Sequence, residues 1–127
     1  MVVGDRKKHL TCLITLKCKV DESGIPTNFL EDHAAKWCQS ICSKPILTIE
    51  DFEKNDQLIG NVQKGMNHVN EKATANPHKV QKFTILPKDF SIHGGELGPT
   101  LKLKRHWVLK QYEDIIESMY VDENIQI

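Results

Sequence analysis

Four cationic side chains cluster at one turn-to-helix junction near the C-terminal end of this sequence. Residues 94–112 read GGELGPTLKLKRHWVLKQY, and no acid stands among the cations, which are Lys102, Lys104, Arg105 and Lys110. The glycines and the proline are residue types that build tight surface loops, and such loops commonly carry function. Lysine places a compact charge on a long stem, which suits a phosphate or another oxyanion. The stretch is therefore a candidate phosphate-binding loop.

Lys102 is the cation that the turn itself would hold in place. It follows the Gly-Pro-Thr sequence almost directly and stands between Leu101 and Leu103. The alternation of leucine and lysine over residues 101–104 predicts that the two leucines anchor the segment while Lys102 points the other way. A solvated lysine beside a helix would give the same local pattern, so the residues alone leave both interpretations open.

Composition excludes several classes of protein. The chain has 127 residues, the size of a single domain, and its 17 basic and 17 acidic residues give a net charge of zero. A nucleic-acid binder is not indicated, because the basic patch lacks interleaved exposed aromatics and a net positive charge. No apolar run approaches the ~20 residues of a membrane span. The start, MVVGDRKKHL, lacks the apolar region of a signal peptide, which favours a cytoplasmic location.

The usual catalytic and metal-binding motifs are missing from the sequence. Neither G-x-x-x-x-G-K-[ST] nor G-x-G-x-x-G occurs, and the six histidines are scattered through different segments. The four cysteines form no C-x-x-C pair, so we expect free, mostly buried thiols and no metal site. On the strand and helix patterns given below, Cys12, Cys18 and Cys38 are the buried ones.

Hydrophobic periodicity predicts the element order β-β-α-α-β-α. A short N-terminal strand turns at Gly4-Asp5 into a strand over residues 10–20, whose alternate residues from Leu10 to Val20 would cover a core. A later β-rich strand spans residues 80–86 and ends at Pro87. The expected fold is α+β, with a small mixed sheet of the N-terminal hairpin and the later strand, packed with about three helices.

The helices are predicted from their apolar stripes and caps. The first would begin at Asn28 as N-cap, with Glu31 completing a capping box, and would bury Trp37 with Cys38 before Pro45. A short turn at Thr48 and Asp51 follows. A longer helix runs from Asp56 to about Asn76, and Gly60 and Gly65 within it indicate close packing or irregularity. The apolar stripe of a final helix would bury Val108, Leu109, Tyr112, Ile115, Ile116 and Met119. Residues 122–127 would be a frayed tail on a domain of residues 1–121.

The segment KFTILPKDFSIHGGELGPTLKLKRHWVLKQY resembles the C-terminal end of the adenylate-forming acyl-CoA synthetases, specifically the bubblegum type of long-chain-fatty-acid–CoA ligase. In that superfamily a Gly-rich loop precedes T-x-K-[LI]-x-R and the terminal helix. Here the motif stands as residues 100–105. VVGDRKKHLTCLITLKC is similar to the sheet segment that precedes the motif, so the resemblance spans nearly the whole chain, with little from residues 43–57.

The resemblance implies a two-step ligase. A fatty acid reacts with ATP and Mg²⁺ to give an acyl-adenylate, and coenzyme A then displaces AMP. The small C-terminal domain of such enzymes is a lid that supplies the motif lysine for adenylation and then rotates for thioester formation. The match implies that Lys102 is the catalytic lysine and that Thr100 and Arg105 also contact the nucleotide, with no metal ligand in this chain.

Two departures from the family pattern matter. The superfamily often has glycine before the motif lysine, where this chain has Leu101, and the hinge and first strand of the lid should lie upstream of Met1. We therefore expect a lid that needs the N-terminal ligase domain as partner and is inactive alone. The location implied is cytoplasmic, or peripheral on the cytosolic face of the endoplasmic reticulum. The alternative is a non-catalytic interaction module with LKLKRH as a basic docking patch.

Overall fold

A mixed three-stranded sheet forms the centre of the domain. The computed structural model describes residues 1–121. Strand β1 (Val2–Val3) pairs antiparallel with β2 (Leu10–Ile14), and β2 pairs in parallel with β5 (Val80–Ile85). The turn between β1 and β2 includes Gly4, whose carbonyl accepts a hydrogen bond from the Lys7 N–H at 3.1 Å. The predicted combination of an N-terminal hairpin with a later strand is therefore confirmed.

A second hairpin lies where the sequence indicated a single long strand and the start of a helix. Residues 10–20 divide into β2 and a separate strand β3 (Cys18–Val20), which pairs with β4 (Pro26–Leu30). The Asp21 carboxylate accepts hydrogen bonds from the N–H groups of Ser23 and Ile25, and Gly24 has a φ of 79°. This local side-chain-to-backbone pairing closes a turn, so the prediction of one strand over residues 10–20 was wrong.

The first helix begins later than the apolar stripe indicated. Helix α1 spans Asp32–Cys42, and its N-cap is Glu31, because Asn28 lies within β4 and bonds the Glu50 side chain instead. Cys38 is buried as predicted, but Trp37 is 50% exposed, so its assignment to the core was wrong. The short helix α2 (Ile49–Glu53) carries the predicted pairing of Thr48 and Asp51 as a complete capping box.

The remaining helices are α3 (Asp56–Asn70), a 3₁₀ turn (Asn76–His78), α4 (Arg105–Gln111) and α5 (Glu113–Ser118). Helix α3 starts where predicted but ends before Asn76. A Cβ at Gly60 or Gly65 would meet nothing within 4 Å, so neither glycine marks close packing. The expected single C-terminal helix is interrupted at Tyr112, yet its apolar stripe is the buried one.

Helices cover both faces of the central sheet. One cluster joins α1, α2 and α3 to the β3–β4 hairpin and Ile85, and the other joins α4 and α5 to Val3, Leu13 and Leu86. Thr11 and Leu13 lie on one face of β2 and are buried, while Leu10, Cys12 and Ile14 on its other face are half-buried. The prediction that the Leu10–Cys12–Ile14 face alone covers the core was therefore wrong.

The predicted fold class is confirmed, since the domain is α+β with a small mixed sheet. It differs in detail by the extra hairpin and by five α-helices among residues 1–121 where about three were expected. None of these helices has the length and apolar character needed to cross a membrane. The predicted tail, residues 122–127, lies outside the described residues.

Candidate functional site

Residues 96–104 form a miniature hairpin that presents Lys102 beside its tip. The Lys104 N–H donates to the Glu96 carbonyl at 2.7 Å, and Leu97 and Leu103 pair across the two arms. Nearer the tip, the Gly98 N–H donates to the Lys102 carbonyl at 2.8 Å. The backbone of Lys102 is therefore held by the hairpin itself rather than by a helix.

The residue before Lys102 adopts the left-handed backbone conformation. Leu101 has a φ of 64°, and its N–H donates to the Gly98 carbonyl at 2.9 Å, which closes the turn over residues 98–101. A positive φ favours glycine, because any Cβ there approaches the following carbonyl. The chain therefore forms this turn with a leucine in a backbone conformation that glycine adopts more readily.

The motif lysine and both neighbouring leucines face solvent. Leu101 is 67% exposed and Leu103 is 41% exposed, so the prediction that they anchor the segment was wrong. Lys102 is also exposed, and its ammonium has no hydrogen bond or ion pair with another residue of the 1–121 range. An exposed ammonium without an acidic partner among residues 1–121 remains available to an anion outside the domain.

A buried carboxylate anchors the hairpin to the domain. Glu96 is 0% exposed, and it is the one buried residue between Phe90 and Val108. One of its carboxylate oxygens accepts from the Ser91 N–H at 3.1 Å and the other from the Tyr112 hydroxyl at 3.2 Å. The Lys88 ammonium lies 4.0 Å from the second oxygen. Burial and then the Glu96 charge raise the pKa of Tyr112, which keeps its hydroxyl protonated as a donor.

Two consecutive glycines make room for this anchor. A Cβ at Gly94 would overlap a Glu96 carboxylate oxygen, and one at Gly95 would lie 2.5 Å from the Trp107 indole nitrogen. Gly95 also has a φ of 87°. The Trp107 indole N–H donates to the Gly94 carbonyl at 3.2 Å. The Gly-Gly pair is therefore needed for close approach of side chains, and it is not by itself a phosphate cradle.

The other predicted site residues lie along the same exposed junction. Thr100 is exposed within the turn, and Arg105 is the exposed first residue of α4. The ammonium of Lys104 lies 5.8 Å from the centre of the Trp107 ring, a cation–π contact that occupies it within the domain. Lys110 lies within α4, away from the turn. Lys102 is thus distinguished from the other lysines by the turn that holds it.

The cysteines are free thiols. Cys18, Cys38 and Cys42 are buried and Cys12 is half-buried, so the predicted burial of Cys12 was wrong. Burial, aided by Asp89, raises the pKa of Cys18 to about 11, and burial also raises the pKa of Cys38. Residues 1–121 contain no group of three or more His, Cys, Asp and Glu side chains placed to hold a metal ion.

Sequence comparison identifies a class of enzymes to which the chain is related. It is 49% identical over 124 residues, 96% of its length, to Long-chain-fatty-acid–CoA ligase ACSBG2 of Xenopus laevis. It is 44% identical over 125 residues, 97% of its length, to the ACSBG1 ligase of Mus musculus. The human ACSBG1 ligase is 42% identical over 127 residues, 98% of the chain. No family model and no solved structure matches.

The matched region is a small part of each relative. The chain spans 17% of the length of the frog and mouse ligases and 18% of the human one. The sequence resemblance is nevertheless confirmed: over nearly its whole length the chain is homologous to bubblegum-type long-chain-fatty-acid–CoA ligases.

Proposed function

We propose that this chain is the C-terminal lid of a long-chain-fatty-acid–CoA ligase and that Lys102 is its catalytic lysine. The whole enzyme would activate a fatty acid with ATP and Mg²⁺ to an acyl-adenylate and then form the thioester with coenzyme A. The observation that carries the proposal is the Lys102 hairpin, in which a fixed turn holds an exposed lysine whose ammonium has no ion-pair partner among residues 1–121. The 49% identity to a ligase over 96% of the chain supports it.

Lys102 suits the first half-reaction on electrostatic grounds. As the fatty-acid carboxylate attacks the α-phosphorus, its negative charge moves onto the α-phosphate oxygens and the departing pyrophosphate. An ammonium held beside these oxygens, in a site closed to water, stabilises that charge far more than an ammonium in solvent does. The hairpin fixes the backbone of Lys102, so its ammonium would need little reorganisation when the lid closes. Thr100 and Arg105 flank it and would contact the same nucleotide.

The partner of the lid would be the N-terminal ligase domain of the same enzyme. That domain would bind ATP, its Mg²⁺ and the fatty acid first, and the exposed face around Lys102 would close over them. The enzyme would act in the cytoplasm or at the cytosolic face of the endoplasmic reticulum.

A chimera tests the proposal. The 124 matching residues of the Xenopus laevis ligase are replaced by this chain, and palmitoyl-CoA formation is measured with ATP, Mg²⁺, palmitate and coenzyme A. We expect synthesis well above that of the same ligase with the segment deleted, and no synthesis by the isolated chain. An inactive chimera beside an active parent enzyme, or acyl-CoA formation by the isolated chain, would contradict the proposal.

The second candidate function is a non-catalytic interaction module with residues 101–106 as a basic docking patch. The exposure of Leu101, Leu103 and Trp107 beside the cations favours a surface that contacts another protein. In that case the chimera would not support acyl-CoA synthesis.

A further inference from the structure

The buried anchor of the Lys102 hairpin has an unusual composition. In the hairpin of residues 96–104 Leu101 and Leu103 are exposed, while the one fully buried side chain is the carboxylate of Glu96. A buried carboxyl group is expensive unless it is fully hydrogen-bonded. A leucine at this position would fill the space at lower cost, so stability alone does not account for a glutamate here.

The contacts of Glu96 give it a directional role that an apolar side chain lacks. Its two oxygens accept from different parts of the domain, the Ser91 N–H at the start of the loop and the Tyr112 hydroxyl at the junction of α4 and α5. Its backbone carbonyl accepts the Lys104 N–H at 2.7 Å, at the base of the hairpin. Because these three hydrogen bonds join Glu96 to three different residues, they restrain the hairpin relative to the helices.

Lys102 is connected to this anchor through a short hydrogen-bonded path. The Glu96–Lys104 bond closes the base of the hairpin, the Leu97–Leu103 pair continues it, and the Gly98 N–H holds the Lys102 carbonyl. The arms between base and tip are only a few residues long, so a rotation at Glu96 moves the lysine backbone with it.

We propose that Glu96 is the positioning residue for Lys102: its buried carboxylate, held by Tyr112 and Ser91, orients the hairpin so that the ammonium meets the reacting phosphate. The inference rests on the proposed function. Glu96 touches no substrate and acts only through the hairpin. A displacement of the lysine by about 1 Å can lower the rate on the order of a hundredfold. The loss should fall on the half-reaction that uses Lys102.

The test uses the active chimera and measures the two half-reactions separately. Adenylation is measured as palmitate-dependent exchange of labelled pyrophosphate into ATP, and thioester formation is measured from supplied palmitoyl-adenylate and coenzyme A. We expect Glu96→Gln, which keeps the size and removes the charge, to lower adenylation on the order of ten- to a hundredfold and to leave thioester formation unchanged. Tyr112→Phe should act in the same direction more weakly. Glu113→Gln, an exposed control beside Tyr112, should change neither.

The outcomes separate this inference from the proposed function. A Glu96→Gln or Tyr112→Phe chimera that loses both half-reactions together would show a role in folding only, and one that loses neither would show no role; either result overturns the positioning assignment. Lys102→Ala is measured in parallel. If it lowers adenylation while Glu96→Gln does not, only the positioning role fails. If Lys102→Ala leaves adenylation intact, the proposed function itself fails.

Discussion

Replacing Leu101 by glycine and by alanine isolates the backbone strain at the residue before the motif lysine. Leu101 has a φ of 64° and is 67% exposed, so either substitution removes a side chain that buries little surface. Alanine keeps the Cβ, and the left-handed conformation then costs about 1–2 kcal/mol, whereas glycine is free of this cost. Glycine loses about 0.5–1 kcal/mol more than alanine in conformational entropy on folding. Leu101→Gly should therefore be more stable than Leu101→Ala by roughly 0–1.5 kcal/mol.

The assay is urea unfolding of the 127-residue chain, followed by far-UV circular dichroism. Leu103 supplies the matched control, because it lies two residues further on with a negative φ, and its side chain is also exposed. There the order should reverse, with alanine more stable than glycine by about 0.5–1 kcal/mol. If Leu101→Ala exceeds Leu101→Gly in stability by as much as Leu103→Ala exceeds Leu103→Gly, the strained turn before Lys102 is refuted.

Two further predictions concern glycines and thiols. Gly95→Ala should lower the free energy of unfolding by about 2–3 kcal/mol, because alanine is strained at a φ of 87° and its Cβ would meet the Trp107 indole. Gly65→Ala should raise the free energy of unfolding by about 0.5–1 kcal/mol, because a Cβ there meets nothing within 4 Å. Equal effects of the two substitutions in urea unfolding would contradict both predictions. Cys12 should react with a thiol reagent before Cys18, because Cys18 is buried and its pKa is raised to about 11; labelling of Cys18 first would refute this order. The Cys18 thiol loses its proton near pH 9 in the unfolded chain and near pH 11 in the folded one, so the free energy of unfolding should fall from about pH 9 to 11.

Hydrophobic periodicity in the sequence was sufficient to predict the buried residues of elements that bury a single face. The C-terminal stripe of Val108, Tyr112 and Ile116 was predicted and is buried, because a surface helix has one core-facing side. The more deeply buried face of β2 was misassigned, because helices cover both faces of the strand and the apolar alternation in the sequence did not show which face is buried more deeply. Leu13, which broke the predicted alternation, was the signal of the second buried face.

The motif lysine could be predicted from the sequence, but the buried contact of Glu96 that anchors its hairpin could not. A glutamate within a Gly-rich loop is normally solvated, and only the fold brings Glu96 to Tyr112, 16 residues later. The same limit explains Trp37, which lies on the apolar stripe predicted from the sequence but is 50% exposed. Which part of an amphipathic face meets a neighbour depends on packing between elements, and a single sequence does not record it.

The central claim is that Lys102 stabilises the charge that develops during adenylation. In the chimera, Lys102→Ala should lower palmitate-dependent pyrophosphate exchange on the order of a hundred- to a thousandfold, the loss typical of a missing charge-stabilising group. Thioester formation from supplied palmitoyl-adenylate should persist, and Lys110→Ala, an exposed lysine within α4, should leave both half-reactions nearly intact. Equal loss of the two half-reactions in Lys102→Ala, or no loss in either, would contradict the assignment.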